Sequence, residues 1–354
     1  MKNRSAIGWS VALIAAAILA FIYRGRIHFD WAVFWSQLRH VDWKPVAIAT
    51  ALIFSTFIMR AVRWAVLVSP TKKIGLFSTT GSQFIGFTAV SLFGRLADLT
   101  RPYLIAKRIQ LPLPSQIAVY TIERMFDLGS AAIIFSCALA LMPKGTPNHQ
   151  IFVRTGLISL AGTVFLAVFA LVVRIAGGAV AAFARFALSR VSKGAAENLS
   201  DKILDFRNGL NALSSFRDFL IVLAVSLVMW GMIGTAYMET LHGFADTSQL
   251  VHIGFPSTML LMATSMGGSL LQLPIVGWFT QIALTAGAMH AFYGAPIESA
   301  TACAAILLCV LTLSIVPSGL VFSQIERVSL KKAAEDSSAA AAETVAEEPS
   351  PAPQ

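Results

Sequence analysis

Apolar runs too long for an ordinary soluble core element recur along this chain, at 7–23, 46–68, 76–93, 116–142, 151–173, 218–241, 255–273, 277–293 and 297–323. About 18 or more apolar residues with few charges suffice, as a helix, to cross the hydrocarbon core of a bilayer. The chain is 56% hydrophobic and only 13% charged, where soluble domains carry about 25% charged residues. A membrane barrel would instead need alternating segments of about ten residues, and the sequence has no such series. The fold class is therefore all-α: a polytopic helical membrane protein with about seven to nine hydrophobic segments, one or two of them re-entrant or broken.

Lys2 and Arg4 precede the first run, Ile7 to Tyr23. That pattern resembles a signal peptide, but no clean small-residue cleavage site follows, and a retained first span is expected. Residues 24–45 form an amphipathic connector with Trp31, Trp35 and Trp43, which suits an interfacial position. Residues 1–330 are expected to form the membrane domain. Residues 331–354 are rich in Ala, Glu, Ser and Pro with no large hydrophobe except Val345, and a disordered cytoplasmic tail is expected there.

The net charge of +9 does not point to nucleic acid. The cations cluster between apolar runs, where positive-inside bias and anionic lipid explain them. Cys137, Cys303 and Cys309 all sit inside apolar runs and read as packing residues.

Charge also sets the topology. Connector 174–217 holds seven Lys and Arg, and connector 242–254 holds none. The first is expected in the cytoplasm, as a surface connector, and the second outside. With the N-terminus inside, connector 174–217 reaches the cytoplasm only if one of the third, fourth and fifth segments enters and leaves on one side. The third is the weakest span. Its "LFSTTGSQFIGFTAVSLFG" is rich in Ser, Thr and Gly, a texture tolerated at membrane depth where it is buried in protein or lines a cavity. It reads as a re-entrant hairpin or a tilted broken helix ending at Gly94. Cytoplasmic segments then collect 18 Lys and Arg and outer segments five. A bacterial-type cytoplasmic membrane is the expected location, with both termini inside. Residues 255–293, broken by Gly267, Gly268, Pro274 and Gly277, suggest a second re-entrant pair.

Three polar groups interrupt the apolar pattern. "IERMFD" places Glu123 and Asp127 four apart on one helical face, with Arg124 about 100° away. Charges at membrane depth pair with one another or face water. These residues either form an ion-pair network with Arg60 or Arg63 of "IMRAVRW", or floor a polar cavity that handles a proton, an ion or a lipid headgroup. In "SLFGRLADLTRPYLIAKRI", Arg95 and Arg101 have the guanidinium geometry to grip a phosphate, or they serve as anchors. Asp98 lies three residues from each. Lys107 and Arg108 read as positive-inside anchors. No metal-ligand cluster, phosphate-binding loop or dinucleotide fingerprint is present, so no metal and no cofactor is expected.

The order of these motifs resembles the lysylphosphatidylglycerol synthase/flippase transmembrane family. "GRLADLTRPYLIAKRIQLPLPSQIAVYTIERMFDLGSA" is similar to that family's Pro-x-Arg-x-Gly-Glu, two residues, Arg, spacer, Glu-Arg-x-x-Asp. "RAVRW" resembles its Arg-x-x-Arg-Trp, and the stretch from "LPIVGWFTQ" onward resembles its Pro-Gly-x-Gly segment and last span. The likeness covers about residues 46–323. Phe93 stands in place of the Pro, Ala97-Asp98 in place of Gly-Glu, and Thr280-Gln281 where an acid often follows the downstream glycines.

The resemblance implies a membrane domain that binds, and translocates, phospholipid or a related anionic or polyprenyl lipid. In that reading Arg60, Arg63, Arg95 and Arg101 receive the headgroup. Asp98, Glu123, Arg124 and Asp127 keep the site polar. No aminoacyl-transferring domain is seen, so aminoacyl-lipid synthesis is not expected. Two alternatives are a non-transporting scaffold or partner of a lipid-modifying or glycosyl-transferring enzyme, and a membrane-embedded lipid transferase using Asp98, Glu123 or Asp127. Membrane lipids are the expected partners in each case.

Overall fold

The computed structural model of the chain describes residues 29–144, 149–189, 215–269 and 276–346, with short pieces between 194 and 204. The expected first span at 7–23 lies outside them. Every regular element among the described residues is helical. In chain order these are α1 (Trp31–Arg39), α2 (Trp43–Val68), α3 (Thr80–Phe93), a 3₁₀ turn (Gly94–Ala97), α4 (Thr100–Ile109), α5 (Leu113–Ala140), α6 (His149–Ser189) and α7 (Phe216–His242). Then come α8 (Ser248–Val251), α9 (Phe255–Ser269), α10 (Val276–Tyr293), α11 (Ile297–Leu308), a π turn (Cys309–Leu313), α12 (Ile315–Ile325) and α13 (Leu330–Ala346).

Among the described residues, five stretches are long and apolar enough to cross a bilayer: Trp43–Val68, His149–Phe169, Leu171–Ser189, Phe216–His242 and Ile297–Ile325. Helix α5 has the length, at 28 residues, but carries Glu123, Arg124 and Asp127. Helices α1, α2 and α7 begin at a side-chain cap. Asp30 accepts from Ala32 and Val33, Asp42 from Lys44, and Ser215 from Asp218. Within spans, Thr50, Ser55, Thr235 and Thr240 return their hydroxyls to the carbonyl four residues back, which leaves no bare donor toward lipid.

Contacts at the helix ends sort the bundle into two faces. On one, Lys72 Nζ donates to Ile109 O at 2.8 Å, and Arg108 pairs with Glu326. On the other, Asp42 N donates to Gly243 O at 2.8 Å, Asp30 N to Glu298 Oε1 at 3.2 Å, and His242 meets Ile253 O. The three aromatics Trp31, Trp35 and Trp43 are exposed at this second face, as an interfacial belt requires.

Residues 72 and 109 thus share a face although α3 and α4 intervene. Those helices have 14 and 10 residues, about 21 and 15 Å, short of a core about 30 Å thick. They form a helical hairpin that enters and leaves on one side. Gly94, at φ 66 and ψ −147, makes its turn, a conformation open to a residue without Cβ. Gly86 sits where the limbs cross: a Cβ there would stand 2.9 Å from Arg101 Cα. The expectation for 76–93 needs one correction. The re-entrant segment does not end at Gly94. Gly94–Ala97 is the hairpin tip, and Thr100–Ile109 is the returning limb.

Helices α9 and α10 pack against each other and begin and end at the second face, so a second pair enters from the opposite side. Gly267 and Gly268 belong to α9 and Gly277 to α10. Pro274 lies outside the described residues.

Two further expectations change. The 174–217 connector does not begin at 174. The helix runs on through it to Ser189, bent at Ala176, directly before Gly177-Gly178. The tail is also ordered in part. Leu330–Ala346 is helical, because its alanines have high helix propensity. It docks on the first hairpin through buried Ala333, Ala334 and Ser337. Residues 347–354 lie outside the described residues.

Candidate functional site

Helices α2 and α5 and the returning limb α4 converge on five buried charges. Arg63 is fully buried. Its Nη1 donates to Asp127 Oδ1 at 2.6 Å and to Ser226 Oγ at 2.8 Å, and its Nη2 to Glu123 Oε1 at 2.5 Å. The four-residue spacing of Glu123 and Asp127 lets one guanidinium bridge both. Arg60, one turn earlier, donates from Nη1 to Asp127 Oδ2 at 3.3 Å.

Arg101 reaches the same network from the hairpin. Its Nη2 lies 2.5 Å from Glu123 Oε2, an ion pair without hydrogen-bond alignment. Its Nη1 donates to Gln83 Oε1 at 3.1 Å, across the Gly86 crossing. The guanidinium carbon stands 4.9 to 5.2 Å from the ring centres of Phe87, Tyr120 and Trp64, an aromatic cage suited to a cation. Trp64 is itself held by Nε1 donating to Gln116 Oε1 at 3.0 Å. Isolated charges at this depth would cost several kcal/mol. Here each carboxylate faces two arginines.

A cavity of about 470 Å³ opens on the other side of this network, between α2, α3, α5, α7, α9, α10 and the π turn. Ile53, Thr56, Phe57 and Arg60 form the α2 stripe that faces it, and Arg124, Asp127 and Ala131 the α5 stripe. Arg60 is 8% exposed. Arg124 is open on the helix surface and stacks 4.9 Å from Tyr120. The remaining wall is mostly apolar, with Tyr237, Gln281 and Thr312 as polar exceptions besides the indole of Trp230. The π turn, closed by Ser314 N donating to Cys309 O at 2.7 Å, brings Leu311 and Thr312 to the wall.

The site residues read from sequence are thus redistributed. Arg60, Arg63, Arg101, Glu123 and Asp127 do come together. Only Arg60 and Asp127 of these line the cavity, joined by Arg124, which the sequence left open between an ion-pair network and a polar cavity. Arg63 and Arg101 stand behind the wall, Arg63 held by both carboxylates and Arg101 by Glu123 and Gln83. Asp98 is a half-buried turn residue after the hairpin tip. Arg95 lies in the 3₁₀ turn, its side chain outside the described residues. Gln83, Ser226, Trp230 and Tyr237 were not singled out. Gln83 and Ser226 carry a faint signal, as isolated polar residues in apolar helices.

Charge does not balance at this depth. Arg60, Arg63, Arg101 and Arg124 meet only Glu123 and Asp127 in the network and the cavity wall, among the described residues. The surplus lies with the two arginines that face the cavity, and it suits an anion.

The sequence of residues 7–319 matches the family described as the lysylphosphatidylglycerol synthase TM region. No curated protein matches the chain.

Proposed function

This chain belongs to the lysylphosphatidylglycerol synthase TM-region family, matched over residues 7–319, and from that premise we propose that it binds an anionic phospholipid and moves it between leaflets. The observation that carries the reading is the cavity with its unbalanced arginines. Arg60 and Arg124 receive the phosphodiester. Asp127 holds Arg60 in place. The apolar wall of Phe57, Phe87 and Met262 takes the first part of the lipid chains. Arg63, Glu123 and Arg101 are positioning residues, since they fix Asp127 and the hairpin without reaching the cavity.

Two hairpins entering from opposite faces support a transport role. Short, interrupted helices in opposed halves are a recurring build of transporter cores. We place Lys72, Ile109 and Glu326 on the cytoplasmic side of a bacterial-type membrane, from the distribution of Lys and Arg.

The test is a dithionite-quench assay in proteoliposomes loaded with fluorescent phosphatidylglycerol. The wild-type chain is expected to expose inner-leaflet lipid to quencher. Arg60→Ala with Arg124→Ala is expected to reduce that rate to the protein-free level. An undiminished rate in the double variant would remove the headgroup role.

A further inference from the structure

The cavity has a second polar station that the phosphate does not use. Tyr237 OH donates to Ser265 Oγ at 3.1 Å, and Gln281 Nε2 donates to the same oxygen at 3.0 Å. Ser265 is 2% exposed, behind the wall, so it fixes both side chains from the rear. Tyr237 and Gln281 themselves line the cavity, with Thr312 from the π turn. Trp230 lines it two helical turns before Tyr237, on the same face of α7. Trp230 is 8% exposed, and its indole N–H has no hydrogen-bond partner. A buried donor left unmade costs on the order of 1–3 kcal/mol, so this N–H favours a ligand that brings an acceptor.

Every group in this station is uncharged. It offers donors (Trp230 Nε1, the second amide hydrogen of Gln281, the Thr312 hydroxyl) and acceptors (the Tyr237 and Thr312 oxygens). A hydroxyl both donates and accepts, and so matches such a mixed set. An ammonium group donates only, and would leave the indole N–H unmet. It would also need a free carboxylate. Asp127 is the one acid on the described wall, and both of its oxygens are held, by Arg63 and by Arg60. With the phosphodiester on Arg60 and Arg124, the ammonium of an amine headgroup finds no free carboxylate on the described wall.

Resting on the anionic-lipid reading above, we infer that this cavity selects lipids whose phosphodiester carries an uncharged, hydroxylated headgroup, of the glycerol or inositol kind, over aminoacylated or amine headgroups. Trp230, Tyr237 and Gln281 are the residues that make the selection. Sites built to hydrogen-bond a hydroxyl reject analogues that lack it, because their own polar groups are then stranded.

The test is lipid binding by native mass spectrometry of the full chain, titrated with five lipids of matched acyl chains. Phosphatidylglycerol and phosphatidylinositol carry hydroxyls. Phosphatidylethanol carries the same single phosphodiester charge and no hydroxyl. Phosphatidylethanolamine and lysylphosphatidylglycerol carry amines. The two hydroxylated lipids are expected to bind about tenfold tighter than phosphatidylethanol, the worth of roughly one to two hydrogen bonds, and the two amine lipids weaker still. Trp230→Phe with Gln281→Leu is expected to lower phosphatidylglycerol to the phosphatidylethanol level. Should that pair fail to fold, Tyr237→Phe alone, which deletes one hydroxyl, reads the same preference.

Equal binding of phosphatidylglycerol and phosphatidylethanol, both lost in Arg60→Ala, would overturn the hydroxyl selection and leave the phosphate site standing. Lysylphosphatidylglycerol binding as tightly as phosphatidylglycerol would overturn it too. So would a preference that survives the double variant. Anionic lipid that fails to bind, or binds unchanged in Arg60→Ala, would remove the underlying reading and this inference with it.

Discussion

The two hairpins differ in what they bring inward. The first, α3 and α4, brings Arg101 and Gln83 to a carboxylate that already holds Arg63. The second, α9 and α10, brings Ser265 and Gln281, which are neutral. The first is tied down at many points: Lys72 to Ile109, Arg108 to Glu326, Thr100 to Ser337, and Tyr103 to Asp336. The second is held by lighter contacts, such as Tyr293 OH donating to Ser257 O at 2.8 Å. A charged group at membrane depth must pair with another or face a polar cavity. A neutral hydrogen-bonding group can face a cavity without that support. The difference is a division of labour: the first hairpin braces the charged frame and gives the cavity only the apolar ring of Phe87, and the second gives it the polar side chain of Gln281.

The sharpest way to break this contrast is Arg63→Ala. It leaves Glu123 and Asp127 facing each other with their best partner gone. Removal of one member of a buried pair costs about 3–5 kcal/mol. The variant is expected to lose that much stability in a denaturant titration of the detergent-solubilised protein, whatever lipid is present. Gly86→Leu comes next. Its side chain has no space against Arg101, so it should push α4 away and break the Arg101–Glu123 pair. Overpacking of this kind costs about 1–3 kcal/mol, read as a lowered melting temperature. Loss of lipid binding should accompany it.

Arg124→Gln is a smaller change to the fold and a larger one to the ligand. The residue stacks on Tyr120 and faces the cavity. Phosphatidylglycerol affinity should drop about tenfold or more, the worth of a charged hydrogen bond at about 1.5–3 kcal/mol, with the melting temperature little changed. The smallest effect is expected from Arg108→Ala. Its pair with Glu326 lies at the surface, the arginine 42% exposed, and such pairs contribute below about 1 kcal/mol. A large loss there would mean that the hairpin base carries more of the frame than its exposure suggests.

Much of this frame was legible in the sequence. Segment length gave the helices, and the count of Lys and Arg required one segment near 76–93 to return. Glu123 and Asp127 were on one face by spacing alone. The rotation of α2 was not legible. Arg60 and Arg63 are three residues apart and read alike, yet only Arg60 continues the stripe of Ile53, Thr56 and Phe57 that lines the cavity. The next turn faces α5 and α7. Which turn looks inward depends on how neighbouring helices pack, and no periodicity in one helix carries that. The returning limb was missed because "TRPYLIAKRI" is too polar to score as a membrane segment. It is buried all the same, because the tail helix and α5 cover it. The tail was misjudged on composition, since alanine-rich polar sequence can dock on a helix surface that offers small neighbours such as Ala89 and Ala97.

The most direct measurement of the central claim is native mass spectrometry of the purified chain with phosphatidylglycerol, comparing wild type with Arg60→Gln plus Arg124→Gln. The account predicts a defined lipid adduct on the wild-type protein. It predicts that the adduct is lost in the double variant while the fold, monitored by melting, is kept. An adduct that persists at the same lipid concentration in a folded double variant would contradict it.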